Sequence, residues 1–237
     1  MENNTREKFD GYAAAYDSWF MENDRMFESE FRLFRKALGD IKGRKMLSVG
    51  CGSGLFESLI KDEGAEIDGL EPSRDMGVIA EKRGVKVVEY GTIENAVLED
   101  EKYDVVYLNG SSTYMEDLEL AFSICRKALK KGGRIISLDV PRESAFGCMY
   151  LLASRLGSFE DPALKGILPA CPYPLELCQA GVWHTTEEKI EALKNLGFHD
   201  FSFYQTLLAN PIYTNDEVEE VVEGYKCGGY VAIIAEK

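Results

Sequence analysis

"LSVGCGSGLF", residues 47 to 56, runs a short apolar strand into a turn built on three glycines, Gly50, Gly52 and Gly54. A backbone this bare serves a pyrophosphate, another nucleotide-like cofactor, or only a tight turn. The flanking chain alternates strand and helix. KMLSV (45–49) is the first strand, and a helix is expected over residues 54 to 63, stopped by Gly64. EIDGL (66–70) is the second strand, followed by a helix that Pro72 can start and Gly84 can close. KVVEY (86–90) and YDVVYLN (103–109) are the third and fourth. The next helix places Leu118, Phe122, Cys125 and Leu129 on one face before KKGG ends it, and RIISLDV (134–140) is the fifth strand.

Such alternation forces parallel pairing through right-handed crossovers, with helices on both faces of the sheet. The expected fold is α/β: a doubly wound, Rossmann-like, mostly parallel sheet in a three-layer α/β/α arrangement. Upstream, residues 5 to 39 read as helical, with Phe9, Tyr12, Tyr16 and Phe20 on one face, then Phe27, Phe31, Phe34 and Leu38 before Gly39. Downstream, residues 141 to 182 break the rhythm with an apolar segment (146 to 156) and a loop, DPALKGILPACPYPLELCQAG, holding four of the seven prolines. Inserts of this kind often line a substrate pocket. The rhythm resumes with TTEEKIEALKNLG (185–197), where Thr185 and Glu188 make a capping box, and with strands FSFYQTLL (201–208) and YVAIIAE (230–236). Between those strands, NDEVEEVVEG is read as a solvated helix face.

Nothing in the 237 residues looks like a linker, so one domain over 1–237 is expected, with 1–40 as a helical lid and 141–182 as a substrate cap. The formal charge of −14, from 41 acidic against 27 basic residues, repels a phosphate backbone and argues against nucleic acid. The start, MENNTREKFD, has no apolar leader, and the longest apolar stretches fall short of the ~20 residues a membrane span needs. A cytoplasmic protein without membrane contact is expected, as monomer or homodimer. The six cysteines include no CxxC pair. Cys171, Cys178 and His184 lie near one another, but their spacing matches no ligand pattern, so no metal is expected.

The dinucleotide fingerprint GxGxxG is not met: the chain has GxGxG, with Leu55 where the third glycine would fall. A nicotinamide-dependent oxidoreductase would need that fingerprint. Glu71 ends the second strand, where a carboxylate can accept hydrogen bonds from both ribose hydroxyls.

Together MLSVGCGSG (46–54), GLEPSRDM (69–76), YDVVYLNGSSTYMED (103–117), LKKGGRIISLDV (129–140) and the closing segment from Thr185 resemble the class I S-adenosylmethionine-dependent methyltransferases over nearly the whole chain. FDGYAAAYDSWF (9–20) is similar to the N-terminal helix with which many small-molecule members cover the cofactor. The resemblance implies a seven-stranded sheet whose last strand, YVAIIAE, is antiparallel and forms a hairpin with the strand before it. It implies that Gly50, Cys51 and Gly52 lie against the methionine part of S-adenosylmethionine, that Glu71 holds the ribose, and that Met76 packs on the adenine. Thr92 and Ile93 would frame the adenine edge, Asn109 and Gly110 would lie under the sulfonium, and Tyr12 and Tyr16 would close the lid. Ser48, Gly54 and Pro72 complete the expected cofactor-binding set. The family most often has an acid where this chain has Ser48, and many members have a histidine where it has Thr113.

The implied activity is methyl transfer from S-adenosylmethionine to a small-molecule acceptor, leaving S-adenosylhomocysteine, with a protein acceptor also open. Such transfer needs positioning and desolvation, and a base only if the acceptor must lose a proton. No catalytic residue is fixed. His184 and Tyr114 are the candidates, with Tyr150, Tyr173, Trp183 and Cys178 as further acceptor-side residues; the competing readings are a structural histidine, core aromatics and an inert thiol. The alternative function is a regulatory or scaffold protein that binds S-adenosylmethionine or S-adenosylhomocysteine without transfer, a reading Ser48 keeps open.

Overall fold

A computed structural model describes residues 9–237. Residues 5 to 8 of the expected first helix lie outside the described residues. The rest of that helical stretch forms two helices, α1 (Ala13–Glu22) and α2 (Asp24–Leu38), broken at Asn23. Strands β1 (Lys45–Val49), β2 (Glu66–Leu70), β3 (Lys86–Glu89), β4 (Tyr103–Asn109) and β5 (Leu129–Asp139) alternate with α3 (Leu55–Ile60), α4 (Arg74–Lys82) and α5 (Leu118–Ala128). Then come α6 (Ala145–Leu156) and α7 (Leu175–Ala180) in the insert, α8 (Thr186–Asn195), β6 (His199–Thr206), β7 (Val222–Glu223) and β8 (Tyr230–Glu236).

The strands form one sheet in the order β3-β2-β1-β4-β5-β8-β6-β7. Pairing is parallel from β3 to β5, and β8 lies antiparallel between β5 and β6. The expectation of seven strands is corrected to eight, because two residues of the β6–β8 connection, Val222 and Glu223, pair with Gln205 and Tyr204 at the sheet edge. The same pairing corrects the reading of NDEVEEVVEG: it is no helix, but an irregular segment ending in an edge strand. KKGG is also reassigned. It lies within β5 as an irregularity, since Tyr103 pairs with Leu129 while Val105 pairs with Arg134.

Alternation along each central strand divides the core between two faces. Met46, Tyr107, Ile136 and Ile234 pack on one side with Phe34 and Leu38 of α2 and Phe56 of α3. Leu47, Val106, Ile135 and Ile233 pack on the other with Phe122 and Cys125 of α5 and Leu193 of α8. Caps follow the local chemistry. Ser73, rather than Pro72, caps α4 by accepting from the Met76 amide, and Thr185 and Glu188 form the full capping box at α8. Among the described residues no helix is long and apolar enough to cross a membrane.

α8 also carries Lys189, whose Nζ lies 3.1 Å from Asp139 Oδ2 at the end of β5, both side chains almost wholly buried. Removing one partner strands a charge in the interior. Lys189→Met is therefore expected to lower unfolding free energy by about 3 kcal/mol in urea titration. Lys226→Met, which breaks an exposed pair with Glu187, should change it by less than about 1 kcal/mol.

Candidate functional site

The glycine turn sits at the carboxyl end of β1, where the parallel part of the sheet opens and ligands of doubly wound folds bind. Gly50 has φ +70°, and a Cβ there would lie 2.6 Å from Ser111 Cβ on the neighbouring strand's loop, so only glycine fits. Gly50 and Cys51 donate their amides to the Leu70 carbonyl. Glu71 then clamps the turn from the next strand: its Oε2 accepts the Gly52 amide at 2.8 Å and its Oε1 accepts the Ser73 amide at 2.8 Å. The carboxylate keeps lone pairs for further donors.

A cavity of about 670 Å³ opens over this turn. It brings together Gly50, Gly52, Glu71, Pro72, Met76, Thr92, Ile93, Asn109, Gly110, Tyr16 and Tyr114, all singled out from the sequence. Phe9, Leu70 and Ser111 line it as well, though sequence reasoning did not name them as site residues. Four expected residues do not line it. Tyr12 lies toward Glu176, at the start of α7; desolvation and that neighbouring carboxylate raise its phenol pKa. Cys51 turns its side chain toward Gly69 and the core. Gly54 abuts α4, where a Cβ would meet the Ala80 Cα at 2.9 Å, so its role is packing. Ser48 lies beneath the turn and donates to Glu57 Oε1 at 2.8 Å, which also accepts from the Tyr107 hydroxyl at 2.9 Å. A buried carboxyl thus stands next to the position where the sequence has serine, supplied by α3.

The segment before and within α1 covers one side of the cavity. Asp17 accepts from Ser53 Oγ and from Arg83 Nη2 at 2.7 Å, and Arg83 also donates to the Ser53 carbonyl. Asp10 accepts from Ser73 Oγ, and Asp75 accepts the Gly11 amide. The Phe9 and Tyr114 rings meet edge-on at 5.1 Å.

A second cavity of about 640 Å³ adjoins the first and shares Tyr16, Asn109, Gly110, Tyr114 and Tyr173 with it. Tyr150 and Trp183 line this second space; the Tyr114 and Tyr173 hydroxyls lie 3.1 Å apart. Sequence reasoning missed Glu30 and Asp139 here. Asp139 is signalled only as the acid ending a strand, and Glu30 looks like one more helical glutamate until packing buries it. Two candidates fall elsewhere. His184 lies in a separate groove with Glu116 and Glu188, its Nε2 2.7 Å from the Met115 carbonyl, and burial lowers its pKa. Cys178 is buried in the core, and desolvation pushes its thiol up to about 12, so it stays protonated. Among the described residues the ligand atoms of Cys171, Cys178 and His184 do not converge; the only such trio is the exposed His199, Asp200 and Glu236.

Burial sets the charge state of both cavities. Desolvation raises Glu71 to about 7 and Glu30 to about 8, from an ordinary 4.5, and the neighbouring Asp139 pushes Glu30 in the same direction. A carboxyl raised in the folded state adds stability that is complete below its unfolded value and is lost as pH rises through the folded one. Stability is expected to fall between about pH 5 and about pH 8.5. Urea midpoints across that range should show a shallower fall for Glu30→Gln than for the parent protein.

Comparison with known proteins agrees with this geometry. A model described as "Methyltransferase domain" matches residues 47–137. An uncharacterized protein of Methanocaldococcus jannaschii is 35% identical over 229 residues, covering 97% of this chain and 98% of that one. The ubiquinone biosynthesis O-methyltransferase of Klebsiella pneumoniae is 29% identical over 123 residues, 49% of this chain and 51% of that one. Among solved structures, a Thermotoga maritima protein described as a SAM-dependent methyltransferase, possible histamine N-methyltransferase, superposes with a TM-score of 0.80 at 29% identity, covering 98% of this chain and 99% of that one. Motif, strand order and relatives agree: the chain belongs to the class I S-adenosylmethionine-dependent methyltransferases.

Proposed function

We propose that this enzyme methylates a small molecule held in the second cavity, with S-adenosylmethionine in the first. The observation that carries the reading is the pair of adjoining cavities meeting at Asn109 and Gly110. The first suits the cofactor. It offers a glycine-bare floor at Gly50 and Gly52, a buried carboxylate at Glu71, apolar walls from Leu70, Met76 and Ile93, and, among the described residues, no cationic side chain. In this reading Glu71 accepts the ribose hydroxyls with its remaining lone pairs, Pro72, Met76, Thr92 and Ile93 bound the adenine, and Gly50 and Gly52 flank the methionine part. Cys51 contributes backbone only, Ser48 acts from beneath through Glu57, and Gly54 acts through packing.

When bound, S-adenosylmethionine supplies a methyl group already activated on a sulfonium. The protein's share of the work is placement and exclusion of water. Asn109 is held by the Tyr230 hydroxyl, which donates to its Oδ1 at 3.0 Å, so the neck between the cavities has a fixed shape. Tyr16 and Tyr173 wall both spaces. Their hydroxyls stay protonated, because burial raises both pKa values well above the ordinary 10. Tyr114, equally raised by burial, serves as a hydrogen-bonding wall rather than as a base, and His184 stands outside. A proton leaving the acceptor therefore passes to solvent or to a cavity carboxylate. Residues 9 to 40 act as the lid and 141 to 182 as the cap over the acceptor space, consistent with Trp19 Nε1 donating to the Cys171 and Pro172 carbonyls across the two segments. The six free cysteines favour a reducing, cytoplasmic setting.

The non-catalytic alternative drew on Ser48, and the Glu57 carboxyl beside it leaves that alternative without a specific observation in its favour. Titration calorimetry tests the cofactor assignment. S-adenosylhomocysteine is expected to bind and NAD to give no heat. Glu71→Ala should weaken the former at least about tenfold, roughly 1.4 kcal/mol; an unchanged affinity refutes the ribose assignment. Release of S-adenosylhomocysteine across an acceptor panel tests transfer itself.

A further inference from the structure

Glu30 lies on α2, 6% exposed, and faces the second cavity. Buried polar groups in folded proteins almost always have a partner, and a buried carboxyl without one needs an explanation. Asp139, which lines the same space, is fully accounted for: it accepts from Lys189 Nζ, from Ser112 Oγ and from the Val140 amide. Glu30 has no such set. Among the described residues no hydrogen-bond donor or cation reaches its carboxyl, and no lysine, arginine or histidine lines the cavity. The rest of the wall is mostly aromatic, with Asn109 and Thr113 its other polar side chains besides the tyrosines and tryptophans. The Tyr150 ring centroid lies 6.2 Å from that of Tyr173 and 6.0 Å from that of Trp183, and Tyr16 closes the cofactor side.

A carboxyl facing π-rich walls favours a ligand that is cationic and donates hydrogen bonds, since the ring faces attract positive charge and the carboxylate supplies the counter-charge. An anion would meet two carboxyls, and a wholly apolar molecule would leave Glu30 unpaired. We infer that the acceptor is a small molecule bearing a protonated amine, and that Glu30 is the residue that recognises its cation inside the aromatic enclosure. This rests on the reading of the second cavity as the acceptor site. Recognition of the cation and chemistry at the reacting atom are separate jobs, and Glu30 has the first.

The groups facing Glu30 make its titration readable. Tyr16, Tyr150 and Tyr230 have pKa values pushed far up by burial, and Asp139 is already paired with Lys189. With its own pKa raised to about 8, Glu30 is mostly protonated at neutral pH in the free protein. A cation arriving beside it favours the carboxylate, so binding releases a proton and tightens as pH rises from about 6.5 to about 8.

The test uses the full chain with S-adenosylhomocysteine and three probes of one shape: 2-phenylethylammonium, 2-phenylethanol and 3-phenylpropanoate. Calorimetry in two buffers of different ionisation heat should show the ammonium binding at least about tenfold tighter than the alcohol, with proton release, and the carboxylate not binding. Glu30→Gln should lose that preference and the proton release while leaving S-adenosylhomocysteine affinity unchanged, and Glu30→Asp should restore part of the preference. No preference for the ammonium, its failure to bind, or an unchanged preference in Glu30→Gln overturns the inference. If S-adenosylhomocysteine itself fails to bind, the underlying cofactor reading fails instead.

Discussion

The site depends on one carboxylate. Glu71 takes the Gly52 amide on one oxygen and the Ser73 amide on the other, joining the turn after β1 to the start of α4 across the end of β2. The turn itself has backbone conformations that no side chain would hold in place, so its shape must be imposed from outside. Two amides fixed to a single buried group do this, because an unmade hydrogen bond there would leave donors and a charge unsatisfied. The cavity's floor, its apolar slot and the cap of α4 all inherit their positions from this clamp.

A second buried carboxyl supports the turn from below. Glu57 accepts from Ser48 on β1 and from Tyr107 on β4, so three elements share one polar junction inside an otherwise apolar layer. Burial raises Glu57 as well, against the opposing pull of those donors. The covering segment depends on a third acid, Asp17, whose contacts with Arg83 and Ser53 hold α1 against the turn and α4. Acidic residues in a chain with net charge −14 are thus not only surface. Several serve as acceptors that fix the backbone and the segment over the cavity.

The fold was legible because parallel strands buried on both faces leave a plain record: KMLSV, EIDGL, YDVVYLN and YVAIIAE are strands over those same residues. The misreadings share one cause. KKGG and NDEVEEVVEG are polar segments whose local preferences are weak, and cross-strand pairing with β4 and β6 decided them. The glycines divided in the same way. Spacing could not say that Gly50 and Gly52 face the cavity while Gly54 serves helix packing, since that depends on which way a neighbouring helix approaches.

The sequence by itself determined the sheet's alternation, the helix caps at Thr185 and Glu188, and the glycine turn followed by an acid at the end of the next strand. Each is written in contacts a few residues long or in a hydrophobic period. Only the tertiary structure decided that Glu30, from a helix before the first strand, shares a cavity with Asp139, Tyr150 and Trp183, and that His184 does not. The physical reason is that a carboxyl's meaning depends on its surroundings: on an exposed helix face Glu30 would be an ordinary solvated acid, and burial without a partner makes it a site for one.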